Sequence, residues 1–340
     1  MDLGEPVESG QPVDLGEPVT SAPLAARLRV PRGPLFFPVT AYGPDGGVDP
    51  AACRAHVRRG VEAGAAAVFV CCGTGEFHAL TPEEFQECVR AAVAETAGRV
   101  PVVAGAGYGT ALAVRYARLA EEAGADGLLA LPPYLVVAAQ EGLLRHYREL
   151  AAATSLPVVV YQRDNAVFTP HTVVELARTE GIVGLKDGHS DLDRLQRLTL
   201  AAPEGFLFFN GAATAEIQAR AYAAVGVPAY SSAVHAFAPE IAGAFFDALR
   251  GGDDAAVDRL LRGFYVPFVE LRDRRPGYAV SLVKAAARLR GRPVGPVRAP
   301  LTDPSPADLA DLEKLLSDGL DLVGGPTRGA SAVPTVGAAL

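Results

Sequence analysis

The sequence predicts a (β/α)8 barrel with a C-terminal helical extension, and two observations carry this prediction. Eight short apolar runs follow one another at intervals of about 20 to 35 residues, the length of one strand–helix unit. Helix-start patterns lie between these runs, so strands and helices alternate. Apolar strands that alternate with helices form a parallel sheet covered on both faces. Eight such units favour a closed barrel over an open doubly wound sheet.

The predicted strands are the apolar runs themselves. They begin at Leu35 (LFFPV), Ala67 (AVFVC), Val102 (VVAG), Leu128 (LLAL), Val158 (VVVY), Ile182 (IVGLK), Phe206 (FLFFN) and Val227 (VPAYSS). Two of the helices between them have clear N-terminal patterns. Thr81 and Thr169 each precede a proline, which puts a capping hydroxyl before the residue type that suits the first helical position.

Helical patterns also follow the eighth run, at PEIAGAFFDALR, 253–268, 278–290 and 306–318. We therefore expect a barrel over 31–236 and C-terminal helices over 237–320. The two ends differ in composition. Residues 1–30 contain the hexamer DLGEPV twice, and residues 321–340 lack periodicity. Such segments bury too little apolar surface to fold, which predicts a disordered leader and a disordered tail.

Charge and composition exclude several classes of function. The net charge of −8 and the pI near 5.3 provide no basic surface for nucleic acid. The apolar stretch over 127–140 is too short for a membrane helix and contains two prolines. The N-terminus has neither the basic nor the apolar region of a secretory signal. We expect a cytoplasmic protein with no membrane or nucleic-acid partner.

The four cysteines form no C-x-x-C pair, and the Cys and His residues show no metal-site spacing. Cys71 and Cys72 are adjacent within an apolar run. We interpret all four as small core residues of a protein from a reducing compartment, and we expect no bound metal.

Lysine is rare in this chain: of the 31 basic residues only Lys186, Lys284 and Lys314 are lysine. Lys284 and Lys314 lie in helix-like stretches, where a charged head can reach water. Lys186 instead ends the apolar run that predicts the sixth strand. Because buried lysines are uncommon unless paired, Lys186 is the first candidate for a functional residue.

Strand geometry gives Lys186 a neighbour. Side chains alternate along a strand, so if Val183 faces the helices, Lys186 points into the barrel mouth. The same rule places Tyr161 beside it on the preceding strand. Burial lowers the pKa of a lysine, and a neutral lysine can form a Schiff base with a ketone. The alternative is a structural lysine that reaches solvent or pairs with Asp187.

Two further stretches end at the same mouth, where (β/α)8 barrels carry their active sites. CCGTGEFHALTPEEF (71–85) joins a strand, a glycine-rich turn and a capped helix, a geometry that offers backbone N–H groups to a carboxylate. VVVYQRDN (158–165) adds a phenol that can relay protons and a guanidinium that can hold an anion.

Seven motifs along the chain together resemble those of a known family. In chain order they are FPVT, GTGEF…LTPEE, YQRDN, GLKDG, YSSAV, GYAVSLVKA and GPVRAPLTD. Over about residues 30–318 the chain resembles the dihydrodipicolinate synthase / N-acetylneuraminate lyase superfamily. Within it, the chain is most similar to the decarboxylating hydro-lyase branch of glucarate breakdown.

The resemblance implies a (β/α)8 barrel, usually tetrameric, that acts on a small keto-deoxy sugar diacid without a cofactor. It implies Lys186 as the Schiff-base lysine and Tyr161 as the proton-transferring tyrosine. Gly73, Thr74 and Gly75 are implied to bind the carboxylate beside the ketone. The implied reaction converts 5-dehydro-4-deoxy-D-glucarate to 2,5-dioxopentanoate, CO₂ and water.

Other polar residues at strand ends are candidates for binding the substrate. Arg163 is placed to orient the distal carboxylate, with a structural ion pair to Asp164 as the alternative. The candidates for hydrogen bonds to substrate hydroxyls are Asn165, Asn210, Thr214 and Ser231. For each of these four, capping or loop hydrogen bonds are the alternative.

The chain departs from the family patterns at four places. Gly73-Thr74 stands where the synthases have Thr-Thr, and Tyr134-Leu135 stands where they have a tyrosine pair; both changes resemble the hydro-lyase branch. Gln162 and Ala236 depart from that branch, because each stands where it more often has asparagine.

Three alternative functions remain at this point. A pyruvate-dependent aldolase or synthase of the same superfamily would use the same lysine and tyrosine. A non-catalytic sugar-acid-binding barrel needs no covalent lysine, so borohydride trapping would separate it from the enzymes. A dinucleotide-binding oxidoreductase is suggested by VVAGAGYGT (102–110), but this stretch lacks the third glycine of G-x-G-x-x-G.

Overall fold

The eight predicted strands form one parallel sheet in a computed structural model, which describes residues 24–324. The strands are β1 (Leu35–Phe36), β2 (Ala67–Val70), β3 (Val102–Ala106), β4 (Gly127–Ala130), β5 (Val158–Gln162), β6 (Ile182–Asp187), β7 (Leu207–Asn210) and β8 (Ser231–Ser232). Consecutive strands pair from β1 to β7, and β8 pairs with β1. A parallel bridge between Asn210 and Tyr230 joins the last two edges. The predicted (β/α)8 barrel is confirmed.

Helices alternate with the strands and then continue beyond them. The barrel helices are α1 (Leu24–Arg29), α2 (Pro50–Glu62), α3 (Pro82–Thr96), α4 (Thr110–Glu122), α5 (Gln140–Ala151), α6 (Pro170–Ala177), α7 (Leu192–Ala201) and α8 (Ala219–Ala224). The C-terminal extension consists of α9 (Pro239–Gly251), α10 (Asp254–Leu260), α11 (Val266–Arg272), α12 (Tyr278–Leu289) and α13 (Pro306–Asp321), with a π-helical turn over Leu261–Tyr265. No helix within residues 24–324 is long and apolar enough to cross a membrane.

The two predicted helix starts are confirmed. The Thr81 hydroxyl accepts a hydrogen bond from the Glu84 N–H, and the Glu84 carboxylate accepts one from the Thr81 N–H, which completes a capping box. Thr169 caps α6 in the same way through the Thr172 N–H.

The N-terminal segment is more ordered than the sequence suggests. Residues 24–29, inside the predicted disordered leader, form α1, whose Leu24 and Leu28 are buried among the apolar side chains of the barrel interior. The leader prediction is therefore wrong for these six residues, because two leucines one turn apart suffice to dock a short helix. Residues 1–23 of the leader and residues 325–340 of the tail lie outside the described residues.

The core has two layers. Inside the barrel, Phe37 stacks on Phe69 with ring centroids 4.5 Å apart, and Val159 and Phe209 belong to the same cluster. A larger cluster fills the space between the sheet and its helices. Side chains thus fill the barrel below its mouth.

β6 departs from regular alternation at one residue. Val158 pairs with Ile182, but the next residue of β5 pairs with Gly184, so Val183 is an extra residue in the ladder. Val183 packs against the interior cluster. The expectation that it faces the helices is wrong, because the register shift interrupts the alternation. Beyond the shift, Tyr161 pairs with Lys186, so the predicted neighbours are confirmed.

The C-terminal extension brings a second correction. Lys284 lies on α12, as predicted, but its head does not reach water. The side chain is fully buried and pairs with Glu76, which lies in the turn after β2. The partner is 208 residues away in the sequence, so local patterns do not reveal it.

Candidate active site

The strands end at a cavity of about 480 Å³ at the mouth of the barrel. Both the barrel and the C-terminal extension line it. The lining includes Phe37, Cys72, Gly73, Thr74, Tyr161, Arg163, Lys186, Thr214 and Ser231 from the barrel, with Phe268, Arg272, Val280 and Val283 from the extension. The volume and the mixed lining are typical of a small-molecule site.

Lys186 lies at the base of this cavity and is almost completely buried, with 5% of its surface exposed. Its Nζ lies 4.0 Å from the centre of the Phe37 ring and 4.4 Å from that of Tyr161. In the described part of the chain no acidic side chain forms an ion pair with it. Burial lowers the pKa of Lys186 to about 7. A substantial share of the lysine is therefore neutral and nucleophilic at neutral pH.

The alternative interpretation of Lys186 as a partner of Asp187 does not hold. The next residue along a strand points to the opposite face, so the Asp187 carboxylate lies outside the barrel. There it accepts hydrogen bonds from Gln162 Nε2 at 2.7 Å and from the Tyr222 hydroxyl at 2.5 Å. These bonds hold the end of β6 from outside the barrel. They occupy the Asp187 carboxylate, so Lys186 stays unpaired.

Tyr161 stands against the lysine with its hydroxyl held in place. The hydroxyl donates to the Gly211 carbonyl at 3.0 Å and accepts from Arg163 Nη1 at 3.3 Å. Burial raises the pKa of Tyr161, and the nearby Arg163 partly offsets this effect. The phenol is thus protonated at neutral pH, and its ring lies against the amine of Lys186.

Gly211 packs tightly on the lysine stem. A Cβ built on this residue would lie 2.3 Å from Lys186 Cε, so no larger residue fits while the lysine keeps its place. Gly211 therefore touches both Lys186 and Tyr161.

Arg163 lines the cavity and also forms the ion pair with Asp164 that was considered as its alternative role. Its Nη1 reaches the Tyr161 hydroxyl, and its Nε lies 3.4 Å from Asp164 Oδ2. Both members of the ion pair are largely solvent-exposed, and such pairs contribute little to stability. The guanidinium thus remains available to an anion in the cavity.

The turn after β2 presents unused backbone donors. In the described residues, the N–H groups of Gly73, Thr74 and Gly75 donate to no protein acceptor, whereas the Glu76 N–H donates to the Gly73 carbonyl at 3.1 Å. Gly73 and Thr74 line the cavity; Gly75 lies behind them, with its carbonyl accepting from the Thr40 hydroxyl at 2.7 Å. Successive free N–H groups of this kind suit a carboxylate.

The four hydrogen-bonding candidates divide into two pairs. Thr214 and Ser231 line the cavity. Asn165 and Asn210 are not part of the lining, because their amides satisfy loop backbone. Asn165 Nδ2 donates to the Pro133 and Val136 carbonyls, and Asn210 Nδ2 donates to the Ala215 carbonyl at 3.0 Å.

The two departures from the hydro-lyase pattern lie away from the cavity. Gln162 is on the outer face of β5, where it bonds Asp187 and accepts from the Phe168 N–H at 2.8 Å. Ala236 is completely buried in a short 3₁₀ turn, and its carbonyl accepts from Arg292. Neither side chain lines the cavity, so the substitutions leave the mouth unchanged.

Sequence reasoning missed the contribution of Arg272. This residue ends α11 and enters the cavity lining from the C-terminal extension. Its Nη1 donates to the Ala213 carbonyl at 3.0 Å and to the Thr214 hydroxyl at 2.9 Å. It thereby fixes the loop after β7. Nothing in the local sequence distinguishes this arginine from its neighbours.

No cluster of three or more His, Cys, Asp or Glu side chains suited to a metal ion occurs in residues 24–324. The four cysteines are buried free thiols. The groups that the cavity does offer are an amine, a phenol, a guanidinium and free backbone amides.

The family comparison covers most of the chain: the profile of the Dihydrodipicolinate synthetase family matches residues 31–318. A protein of Streptomyces coelicolor named "Probable 5-dehydro-4-deoxyglucarate dehydratase 1" is 71% identical over 90% of this chain and 98% of its own. A Rhizobium rhizogenes protein with the name "Probable 5-dehydro-4-deoxyglucarate dehydratase" is 45% identical over 86% of this chain and 97% of its own.

A solved structure has the same fold. The crystal structure of dihydrodipicolinate synthase from Bacillus clausii superposes with a TM-score of 0.80 at 31% sequence identity. The match covers 87% of this chain and 99% of that one.

Proposed function

The chain belongs to the dihydrodipicolinate synthetase family, and from this premise we propose that it converts 5-dehydro-4-deoxy-D-glucarate to 2,5-dioxopentanoate, CO₂ and water. The enzyme is a Schiff-base-forming hydro-lyase. The observation that carries the proposal is the buried, unpaired Lys186 against Tyr161 in a cavity of small-molecule size. Relatives up to 71% identical are named as dehydratases of 5-dehydro-4-deoxyglucarate, which supports the substrate and the dehydration step.

The reaction begins with capture of the ketone. Free N–H groups of the turn, those of Gly73 and Thr74 above all, hold the adjacent carboxylate, while the neutral amine of Lys186 attacks the ketone carbon. Loss of one water gives an iminium. The proton transfers in this step pass through Tyr161, whose ring lies against the amine and whose hydroxyl is held by Gly211 and Arg163.

Dehydration follows from the charge on the iminium. The positive nitrogen acidifies the neighbouring CH₂. The Tyr161 oxygen takes this proton, because the phenol has given its own proton to the water released when the iminium forms. The hydroxyl on the next carbon leaves as water, and a carbon–carbon double bond conjugated with the iminium results. Positioned acid–base groups of this kind typically accelerate such steps by about 10²–10⁴-fold.

Decarboxylation uses the same conjugation. The electron pair of the bond to the distal carboxylate moves through the double bond to the iminium nitrogen, and CO₂ leaves. Protonation and hydrolysis then release 2,5-dioxopentanoate and restore the amine. Arg163 orients the distal carboxylate through a loose contact, since a tight ion pair would stabilise the carboxylate and slow the loss of CO₂.

The test is a direct assay of the diacid for CO₂ release, with pyruvate plus an aldehyde as the aldolase control. Borohydride added during turnover should produce an adduct that mass spectrometry locates on residue 186, and Lys186→Arg should give neither adduct nor turnover, because arginine stays protonated. Carbon–carbon bond formation from pyruvate without CO₂ release would favour the aldolase instead. Substrate binding without an adduct would favour a non-catalytic barrel.

Arg163→Met tests the assignment of the distal carboxylate. The change keeps the bulk of the stem and removes the charge, so binding of the diacid should weaken by about 1.5–3 kcal/mol, the contribution of a hydrogen bond to a charged group. An analogue without the distal carboxylate should bind as before. Equal losses for both compounds would show that Arg163 is structural.

We also propose that the protein is a homo-oligomer, a tetramer by its family resemblance. The loop after β4 supports this, since Tyr134, Leu135, Val136 and Val137 are all more than half exposed and form a continuous apolar stretch. A second copy of the chain is the partner that we expect there. Val137→Asp should lower the mass measured by sedimentation, and an unchanged mass would exclude this loop from the interface.

We place the reaction in the cytoplasm. Four buried thiols without a disulfide suit a reducing compartment. Fractionation of cells that make the protein tests this directly, and recovery from an extracellular fraction would contradict it.

A further inference from the structure

Glu76 lies directly behind the turn that faces the cavity and has an unusual backbone. Its φ of 55° is in the left-handed region, which is strained for a residue with a side chain. The side chain is completely buried. A strained residue with a buried carboxylate persists only when its surroundings hold it there.

Two groups of the C-terminal extension hold this carboxylate. Lys284 Nζ donates to Oε1 at 2.8 Å, and the Arg298 N–H donates to Oε2 at 2.8 Å. Lys284 Nζ also lies 3.9 Å from the centre of the Tyr42 ring. Every strong contact of the Glu76 carboxylate therefore comes from the segment that follows the barrel.

Stability alone does not account for this ion pair. Transferring two charges from water to the interior is unfavourable, and replacing a buried ion pair by apolar residues of similar size often leaves a protein as stable or more so. Burial accordingly lowers the pKa of Lys284, although Glu76 opposes the shift. What the pair does provide is a fixed position for Glu76, and with it for Gly73, whose carbonyl accepts from the Glu76 N–H.

The same extension also forms a wall of the cavity. Val280 and Val283 of α12 line it, and Lys284 follows directly in that helix. Arg298 adds a second tie, since its guanidinium donates to the Glu84 carboxylate in the first turn of α3. The turn is thus held at Glu76 and at the helix that follows.

We propose that Lys284 is a positioning residue, which holds Glu76 so that the free amides of Gly73 and Thr74 meet the carboxylate beside the substrate ketone. The inference rests on the proposed function, because it takes the turn as the carboxylate site. It assigns the C-terminal extension a part in substrate recognition, without contact between Lys284 and the substrate.

The test compares two carbonyl compounds that differ in the carboxylate. Pyruvate has one beside its ketone, and hydroxyacetone has none. The variant combines Lys284→Met with Glu76→Gln, so that no uncompensated charge stays buried. Borohydride trapping of pyruvate on Lys186 should need a pyruvate concentration about tenfold higher, or more, in the variant than in the unmodified protein. This is the effect expected when charge-assisted hydrogen bonds to the carboxylate are weakened. Trapping by hydroxyacetone should change less than about twofold, and KM for the diacid should rise more than kcat falls.

A matched control comes from the same extension. Tyr278 and Arg274 both bond Asp308 at 2.8 and 2.9 Å, which ties α12 to α13 without touching the turn. Arg274→Met with Asp308→Asn should leave both trapping reactions unchanged. If the first double variant proves unstable, Lys284→Gln with Glu76→Gln keeps a hydrogen bond between the two positions without a buried charge, and it should show a smaller loss of the same selectivity.

The outcomes separate the two proposals. Equal losses with pyruvate and hydroxyacetone, or the same selective loss in the control, would overturn the role of Lys284 alone. Absence of any adduct in the unmodified protein would overturn the Schiff-base function and this inference with it.

Discussion

The two ends of the barrel differ in the residue types that adopt a left-handed backbone conformation. Among the described residues, seven of the eight non-glycine residues with positive φ lie in loops that follow strands at the mouth: Cys71, Glu76, Tyr108, Leu135, Asp164, Ser190 and Thr214. At the opposite end, positive φ before the strands falls on glycines: Gly64, Gly98, Gly124, Gly181, Gly205 and Gly226. The exception there is Ala97.

The difference shows where the molecule accepts strain. Left-handed backbone costs a residue with a Cβ about 1–2 kcal/mol and costs glycine almost nothing. The N-terminal end uses glycine because its loops only need to turn. At the mouth, side chains occupy the same conformation: Glu76 bonds Lys284 behind the turn after β2, and Thr214 lines the cavity. At the mouth, the fold thus accepts a loss of stability in exchange for side chains at the cavity.

Lys186→Met is the strongest test of this view. Turnover and borohydride adduct should be lost completely, while the protein becomes more stable, because a buried unpaired amine is replaced by an apolar chain. The folded pKa of about 7 lies below the unfolded value of about 10.4, so the folded state binds fewer protons between these pH values. The stability of the unmodified protein should therefore rise with pH across this window.

Urea unfolding at several pH values measures this effect. The advantage of the Met variant should be a few kcal/mol at pH 7 and should shrink towards pH 10.4. Lys314→Met is the control, since Lys314 is exposed and pairs only with Asp318. If the Lys186→Met variant is less stable than the unmodified protein, the buried lysine does not lower the stability of the fold, and this view is contradicted.

Tyr161→Phe should lower kcat by about 10²–10⁴-fold and leave KM nearly unchanged, because the ring keeps its packing while the proton relay is lost. Steady-state kinetics on the diacid measure the change. Tyr147 provides the control, since it is fully buried in the outer layer and its hydroxyl has no partner. Tyr147→Phe should retain full activity. A normal kcat with raised KM would mean that Tyr161 only binds substrate.

Gly98→Ala examines the opposite end. Its φ of 77° lies in the left-handed region and no atom lies within 4 Å of a built Cβ, so conformation alone sets the cost. The free energy of unfolding should fall by about 1–2 kcal/mol with activity unchanged. Gly251→Ala has the same open surroundings at the end of α9 without positive φ, and it should be neutral or stabilising. Similar losses in both variants would remove the argument from backbone conformation.

Ala97→Gly should produce the smallest change and the opposite sign. Ala97 caps α3 with φ 47° and is exposed, so glycine relieves strain at no loss of contacts. We expect a gain of about 0.5–1 kcal/mol by thermal or urea unfolding and unchanged kcat. Ala94→Gly, within α3, should instead lose about 1 kcal/mol. A loss at both positions would show that the N-terminal end is already optimal.

Sequence alone predicts the features that depend on local patterns. The apolar runs give the eight strands, the Thr-Pro pairs give two helix starts, and the strand order places Lys186 beside Tyr161. Each of these depends on residues close together in the chain.

What sequence alone misses depends on distant partners. The burial of Lys284 requires Glu76, and the entry of Arg272 into the cavity requires the extension to fold back over the mouth. The amides of Asn165 and Asn210 look available until the loops that they bond are in place. The sequence does not reveal that Val183 is an extra residue in the ladder, because a run of apolar residues looks the same with or without a register shift.

The scarcity of lysine gives the protein an unusual response to electrophiles. Lys284 is completely buried, and Lys314 is a protonated amine at the surface. Lys186, at the base of the cavity, is therefore the lysine that a small molecule can reach and that is nucleophilic at neutral pH. Metabolic aldehydes and acylating metabolites attack neutral amines. We therefore expect damage of that kind to concentrate at Lys186, where it would abolish turnover, and we expect bound substrate to protect this residue.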